Sequence, residues 1–147
     1  MGFQLSRTIE RPPGDVYAFM KDFENHPQER STKVLRVEKI TDGSVGLGTR
    51  YREKVQMLPL LAVEMISEIT RFEPQACIVY EWHGGGMRGV LTIALDAHAN
   101  GTELSVHEQV LPQGLLKPFA ALIRMTFRQT WERRLAGIKR VLESQRK

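Results

Sequence analysis

Between residues 34 and 111 the sequence alternates apolar and polar side chains almost without interruption, which constrains the fold more than any other feature. Successive side chains of a β-strand point to opposite faces of a sheet, so this alternation predicts strands with one buried face. The connections are short and contain turn residues, as at Asp42-Gly43 and Asn100-Gly101. Connections this short join antiparallel neighbours. The predicted strands cover residues 34–41, 48–57, 62–72, 76–83, 88–98 and 102–111.

Two helices and one further strand flank this region. Residues 3–10 also alternate and predict a first strand, which ends at Pro12-Pro13-Gly14. Val16, Phe19, Met20 and Phe23 then follow at helical spacing, so a short helix with one apolar face is expected. After Gly114 a long helix is predicted to about residue 144, with charged residues and Gln on its far side. Its apolar arc contains Leu116, Ala120, Ile123, Phe127, Thr130, Trp131, Ile138 and Val141.

These elements predict an α+β domain in which a seven-stranded antiparallel sheet wraps around a long C-terminal helix, with a short helical insert between strands 1 and 2. No repeat or linker interrupts the chain, so residues 1–147 are expected to form one domain. The N-terminus lacks the pattern of a secretory signal, and a cytoplasmic location is expected. Cys77 is the only cysteine and the four histidines do not cluster, so neither a metal nor another cofactor is expected.

Three charged residues occupy positions that the patterns assign to the interior. Glu53 shares a strand face with Tyr51 and Val55, and Glu108 lies on the inward face of the last strand. Arg134 falls near the centre of the apolar arc of the long helix. Because buried charges are usually paired, these residues are candidates to meet as a ligand anchor or an acid/base site. Alternatively, a β-bulge turns a Glu outward and Arg134 extends its head group to water.

The C-terminal segment carries the positive charge of the chain. From Gly114 onward there are nine Lys or Arg residues and two Glu, a net charge of +7 within a total of +4. RNA or anionic lipid could attract such a helix. The cations, however, lack the interleaved aromatic residues of a nucleic-acid platform, so a solvated face is expected and nucleic acid is not an expected partner.

The chain resembles the START-like, or SRPBCC, superfamily, often described as polyketide cyclase/dehydrase and lipid transport proteins. The resemblance lies in the segment from Val16-Tyr17 to His26-Pro27 and in the order of "GSVGLGTRYRE", "EITRFEPQACIVYEW" and "GVLTIALDAHANGTELSVHEQV". Glu29 departs from it, because many members have Trp two residues after the corresponding Pro. The resemblance implies a helix-grip fold, in which the early helical insert closes one side of a groove under the long helix.

The resemblance implies binding or transport of a small hydrophobic molecule, such as a lipid, isoprenoid, polyketide or aromatic compound, in this groove. The protein is expected to be a monomer or homodimer. An enzyme of the cyclase, dehydratase or hydrolase type, with Glu53 or Glu108 as the catalytic carboxylate, is the alternative. A protein or RNA partner for the basic helix is the second alternative. Residues expected to line the cavity are Phe19, Met20, Phe23, Tyr51, Glu53, Val55, Ser67, Tyr80, Trp82, Leu91, Leu104, Val106, Glu108, Ile123, Phe127 and Arg134.

Several turns with apolar residues are expected to gather at one end of the sheet, because successive hairpins alternate between its ends. They form a predicted cavity mouth, whose alternatives are a rim that touches a membrane, a dimer patch, or ordinary packing among loops. The mouth residues are Met57, Leu58, Leu60, Met87, Leu116 and Phe119.

Overall fold

The computed structural model describes residues 2–21, 34–58, 61–99 and 101–144. It confirms the α+β helix-grip architecture: a seven-stranded antiparallel sheet packs against a long C-terminal helix. The strands are β1 (Gly2–Ile9), β2 (Val34–Lys39), β3 (Arg50–Leu58), β4 (Leu61–Glu73), β5 (Cys77–Gly84), β6 (Met87–His98) and β7 (Gly101–Pro112). The helices are α1 (Pro13–Met20), a 3-10 helix (Gly114–Phe119) and α2 (Ala120–Ser144).

The sheet is a meander with one long-range pairing. Its strand order is β1-β7-β6-β5-β4-β3-β2, so each strand from β2 to β7 pairs with its neighbour in sequence. The first strand pairs with the last, from Gly2 opposite Gln109 to Ile9 opposite Thr102. The β5–β6 connection turns through Gly84, Gly85 and Gly86, all with positive φ, a conformation that glycine adopts without strain.

Three irregularities interrupt the pairing in the part of the sheet formed by β2 to β5. Register shifts occur in β2–β3, in β3–β4 between Gln56 and Leu58, and in β4–β5 between Ile69 and Arg71. Such bulges bend a strand and increase its twist. The β5–β6, β6–β7 and β1–β7 pairings have unbroken register, so the irregularities are confined to one half of the sheet.

Helix α1 begins where the sequence predicts, because Pro13 occupies a first-turn position that needs no amide hydrogen bond. Its buried face consists of Val16, Phe19 and Met20. The described helix ends at Met20, and Phe23 lies outside the described residues, although the periodicity extended the helix to it.

Helix α2 is buried mainly in its C-terminal half, where Trp131, Leu135, Ile138 and Leu142 pack on the sheet. The contacts are chiefly with β1 and β7. Lys139 Nζ donates to Thr8 O at 2.6 Å and fixes this half of the helix to the end of β1. The far side of the N-terminal half was expected to be polar, but Leu122 and Met125 are exposed there.

Candidate functional site

Glu53 and Arg134 form an ion pair in the groove between the sheet and α2. The distance from Arg134 Nη2 to Glu53 Oε2 is 2.7 Å, and both side chains are largely excluded from solvent. The guanidinium also lies over the Trp131 ring, 4.6 Å from its centroid. This aromatic face stabilises the cation and limits its orientation. Arg134 therefore points into the groove rather than extending to bulk water.

Glu108 lies beside this pair in the middle of β7 and is 3% exposed. Burial, reinforced by the nearby charge of Glu53, raises the pKa of the Glu108 carboxyl from 4.5 to about 8. Arg134 and the indole N–H groups of Trp82 and Trp131 lower the pKa and offset part of this rise. Because Arg134 forms its hydrogen bond with Glu53, its charge does not overcome the cost of burying a second carboxylate.

The charges in this part of the groove therefore balance when Glu108 is protonated. One guanidinium faces one ionised carboxylate, and Glu108 contributes a neutral carboxylic acid at neutral pH. A protonated carboxyl group can donate a hydrogen bond as well as accept one. The site thus offers an O–H donor in water-poor surroundings, and this donor can serve as an anchor for an oxygen atom or as a general acid.

Further polar atoms point into the same space without a partner. Among the described residues, no protein group hydrogen-bonds to Ser67 Oγ, Trp82 Nε1 or Glu108 Oε1, and all three atoms are buried. The Trp82 indole is close enough to Glu108 to favour the charged carboxylate, but its geometry does not satisfy a hydrogen bond. Buried polar groups normally have partners, so three such atoms on one wall are unusual.

A small cavity of about 30 Å³ lies between these groups. The Trp82 and Phe127 rings stack with their centroids 5.3 Å apart, and they close the cavity on the α2 side. This volume is about that of one water molecule, whereas pockets for small organic ligands are about 300–1,000 Å³. The lining residues are Glu53, Met65, Ser67, Tyr80, Trp82, Leu91, Glu108 and Phe127.

Most of the other predicted cavity residues are buried near this space without lining it. Phe19, Met20, Tyr51, Leu104 and Val106 belong to the hydrophobic core, and Ile123 packs against it. Arg134 reaches the cavity through Glu53. The side chain of Val55 lies outside the described part of the chain, as does Phe23.

Two of the predicted mouth turns do come together. Gln113 N donates to Gly86 O at 3.0 Å, which joins the segment after β7 to the β5–β6 turn. Phe119 is exposed and Leu116 is half-buried, whereas Met87 is buried in the core and does not form an exposed rim. Leu60 and the side chains of Met57 and Leu58 lie outside the described residues.

Two residues of the site were not among the predicted cavity residues. Met65 faces Glu53 across the β3–β4 pair, and the alternation that placed Ser67 inward also places Met65 inward. Trp131 was assigned to the apolar arc of α2 but not to the site, although it lies three positions before Arg134 on the same face. Met65 and Trp131 could both have been predicted as site residues if every position of the strands and of α2 had been assigned to an inward or outward face.

The described residues contain no group of three His, Cys, Asp or Glu side chains that could hold a metal ion. Within the same residues, no helix has the length and apolar character needed to cross a bilayer. A larger depression of about 660 Å³ is open to solvent, includes the exposed Arg50–Glu68 ion pair and shares Ser67 and Trp82 with the small cavity. The space beside Glu108 is the candidate ligand site, because three buried polar atoms without a protein partner among the described residues point into it.

Comparison with known proteins agrees with this architecture. The sequence profile of the family described as "Polyketide cyclase / dehydrase and lipid transport" matches residues 2–143. No curated protein sequence matches the chain significantly.

Several solved structures share the fold at low sequence identity. TTHA0849 from Thermus thermophilus has a TM-score of 0.79 and 18% identity, with 98% of each chain covered. The ZhuI aromatase/cyclase from Streptomyces sp. R1128 has a TM-score of 0.77 and 12% identity over 97% of this chain and 93% of its own. Ara h 8.0201 has a TM-score of 0.75 and 15% identity, again with 98% of each chain covered.

Proposed function

Because the chain belongs to the polyketide cyclase/dehydrase and lipid transport family of the START-like (SRPBCC) superfamily, we propose that it binds a small, largely apolar molecule between the sheet and α2. A polar oxygen of this molecule would be held beside Glu108. The family supports the class of ligand, and the chemistry of the groove supports its orientation. A lipid, isoprenoid, polyketide or aromatic compound that carries a carbonyl or hydroxyl group fits this description.

The observation that carries the proposal is the set of three buried polar atoms without protein partners, Ser67 Oγ, Trp82 Nε1 and Glu108 Oε1. The indole N–H and the protonated carboxyl group both donate, so together they can hold one carbonyl oxygen. Met65 and Leu91 supply apolar walls around them. A ligand oxygen would satisfy groups that otherwise remain desolvated at a cost of about 1–3 kcal/mol each.

Ligand entry requires the groove to widen, since the cavity holds only about 30 Å³. We place this opening at the Trp82–Phe127 stack. Phe127 lies in the part of α2 that precedes the buried residues Trp131 to Leu142, so moving it disturbs little of the core. Separation of the two rings would extend the polar space toward the exposed end of α2.

Native mass spectrometry of the protein purified from cells tests the proposal directly. We expect a bound apolar molecule, and we expect Glu108→Leu to reduce its occupancy at least about tenfold because the apolar side chain cannot hydrogen-bond to the ligand. Glu108→Gln keeps a donor and should retain most of the ligand. Glu81→Leu, at an exposed position of β5, is the matched control. Equal occupancy in Glu108→Leu and Glu81→Leu would contradict the proposed anchor.

Catalysis of the cyclase, dehydratase or hydrolase type is the second candidate function, and the raised pKa of Glu108 favours it. A carboxylic acid with a pKa of about 8 can donate a proton near neutral pH, as general acid catalysis requires. The co-purified molecule should then be altered on incubation with fresh protein, by loss or gain of water for a dehydratase or hydrolase and by a changed chromatographic retention time at constant mass for a simple cyclisation. Glu108→Gln should bind the molecule without changing it. Recovery of the molecule unchanged would favour a carrier.

A further inference from the structure

The 3-10 helix and the first turns of α2 expose a cluster of large apolar side chains. Leu115 is 92% exposed, Phe119 54%, Leu122 56% and Met125 49%. They are four of the seven large hydrophobic residues that are exposed in the described part of the chain. We call these four residues the α2 patch. Single exposed apolar residues are common, but a concentration in one short segment marks an interaction surface.

The same segment is basic and contains no acidic residue. Between Gly114 and Trp131 the charged side chains are Lys117, Arg124 and Arg128, and the next acid along the chain is Glu132. Lys117 and Arg128 are exposed, and Arg124 is partly exposed. Long cationic side chains can keep their head groups in water while apolar neighbours insert into a less polar phase.

We propose that the α2 patch docks on the surface of an anionic lipid membrane. Its apolar residues would enter the boundary between head groups and acyl chains, and the three cations would contact lipid phosphates and carboxylates. The mode is interfacial, because α2 does not qualify as a membrane-spanning helix. Each cation near an anionic surface strengthens binding about fivefold, and the apolar residues add the larger hydrophobic contribution.

Charge favours a membrane over a second copy of the chain. A two-fold symmetric contact brings each surface against itself, so the cations of one patch would face the same cations of its partner. The segment from Gly114 to Trp131 contains no carboxylate, and the nearest one along the chain, Glu132, is paired with Arg128 at 4.0 Å, so Lys117 and Arg124 would face their own copies. An anionic bilayer supplies the opposite charge and the apolar phase together.

Flotation of the purified protein with lipid vesicles tests this inference without any ligand for the groove. We expect binding to vesicles of phosphatidylcholine mixed with phosphatidylserine and weaker binding to phosphatidylcholine alone. The double variant Leu122→Ser/Met125→Ser should bind at least about tenfold more weakly. Arg124→Gln/Arg128→Gln should lose about fivefold for each charge removed. All four side chains are at least partly exposed, so unchanged melting temperatures should show that the variants fold.

Matched changes elsewhere separate the patch from general surface effects. Leu47→Ser removes an exposed apolar residue from the β2–β3 loop, and Lys54→Gln removes an exposed cation from β3. Both should bind vesicles like the unmodified protein. Equal vesicle binding by Leu122→Ser/Met125→Ser and Leu47→Ser would overturn the proposal. Vesicle binding would then depend on charge alone or on another surface of the protein. Conversion of a dimer to a monomer by that double variant, with vesicle binding unchanged, would identify an interface between copies instead.

Discussion

Replacement of Glu108 by Gln should make the protein more stable at neutral pH and should remove part of its pH dependence. In the folded protein the pKa of Glu108 is raised to about 8, whereas the ordinary value is 4.5. The folded state therefore keeps a proton that the unfolded state releases between these two pH values. Stability from this group is fully present below about pH 4.5 and is lost as the pH rises toward 8. Gln has a similar shape but does not titrate.

The size of the effect follows from the difference in proton affinity. Each pKa unit is worth about 1.4 kcal/mol, so the full loss above pH 8 is about 5 kcal/mol and the loss at pH 7 is about 3 kcal/mol. Glu108→Gln should therefore be close to neutral at about pH 4.5 and increasingly stabilising at higher pH. Solvent screening does not reduce these free energies, because the carboxyl group is fully buried.

Urea unfolding monitored by tryptophan fluorescence at several pH values measures the difference directly. Trp82 and Trp131 both lie near Glu108, so their emission should report the loss of this part of the core. Glu81→Gln controls for the loss of an exposed carboxylate. The difference in unfolding free energy between Glu108→Gln and the unmodified protein should grow from about pH 5 to pH 8. If this difference stays constant over that range, the assignment of a neutral buried acid is refuted.

Two further predictions concern the walls of the groove. Arg134→Ala should cost about 3–5 kcal/mol in chemical unfolding because it leaves Glu53 buried without its cation, and Arg134→Ala combined with Glu53→Leu should cost less than the sum of the single changes. Additive effects would show that the pair is not coupled. Gly89→Ala should cost about 1–3 kcal/mol and alter the near-ultraviolet circular dichroism, because its Cβ would lie 2.3 Å from the backbone oxygen of Gln109 and 2.5 Å from Trp82 Cζ2. Gly14→Ala, where the nearest atom is 3.8 Å away, should have little effect, and equal losses at both glycines would contradict the steric explanation.

The inward orientation of the site residues could be predicted wherever strand register is regular. The β6–β7 pairing is unbroken, so simple alternation places Glu108 inward without any knowledge of its neighbours. Glu53 precedes the register shift near Gln56 and is therefore also assigned correctly. Helical periodicity similarly places Arg134 toward the sheet. These assignments need only the two-residue period of a strand and the 3.6-residue period of a helix, which can be read from the sequence.

The partner of Arg134 and the size of the cavity could not be predicted in this way. Both Glu53 and Glu108 were possible partners for Arg134. Which of them forms the ion pair depends on where along the strands α2 crosses the sheet. The cavity is small because Trp82 and Phe127 stack, which requires the relative placement of a strand and a helix far apart in sequence. Periodicity also overlooked Leu122 and Met125, because it identified one apolar arc and assumed that the rest of α2 was polar.

The pairing of β1 with β7 has a consequence for how the chain folds during synthesis. Strand β1 is synthesised before the other strands, yet Gln109, the partner of Gly2, lies in the strand that is synthesised last, so β1 cannot enter the sheet until most of the chain has emerged. Helix α2, whose C-terminal half covers β1, is added later still. Pairings between such distant segments are slow to form, and an unpaired strand edge can associate with other chains in the meantime. We therefore expect the nascent protein to depend on shielding of the exposed edge of β7 until its N-terminal strand docks.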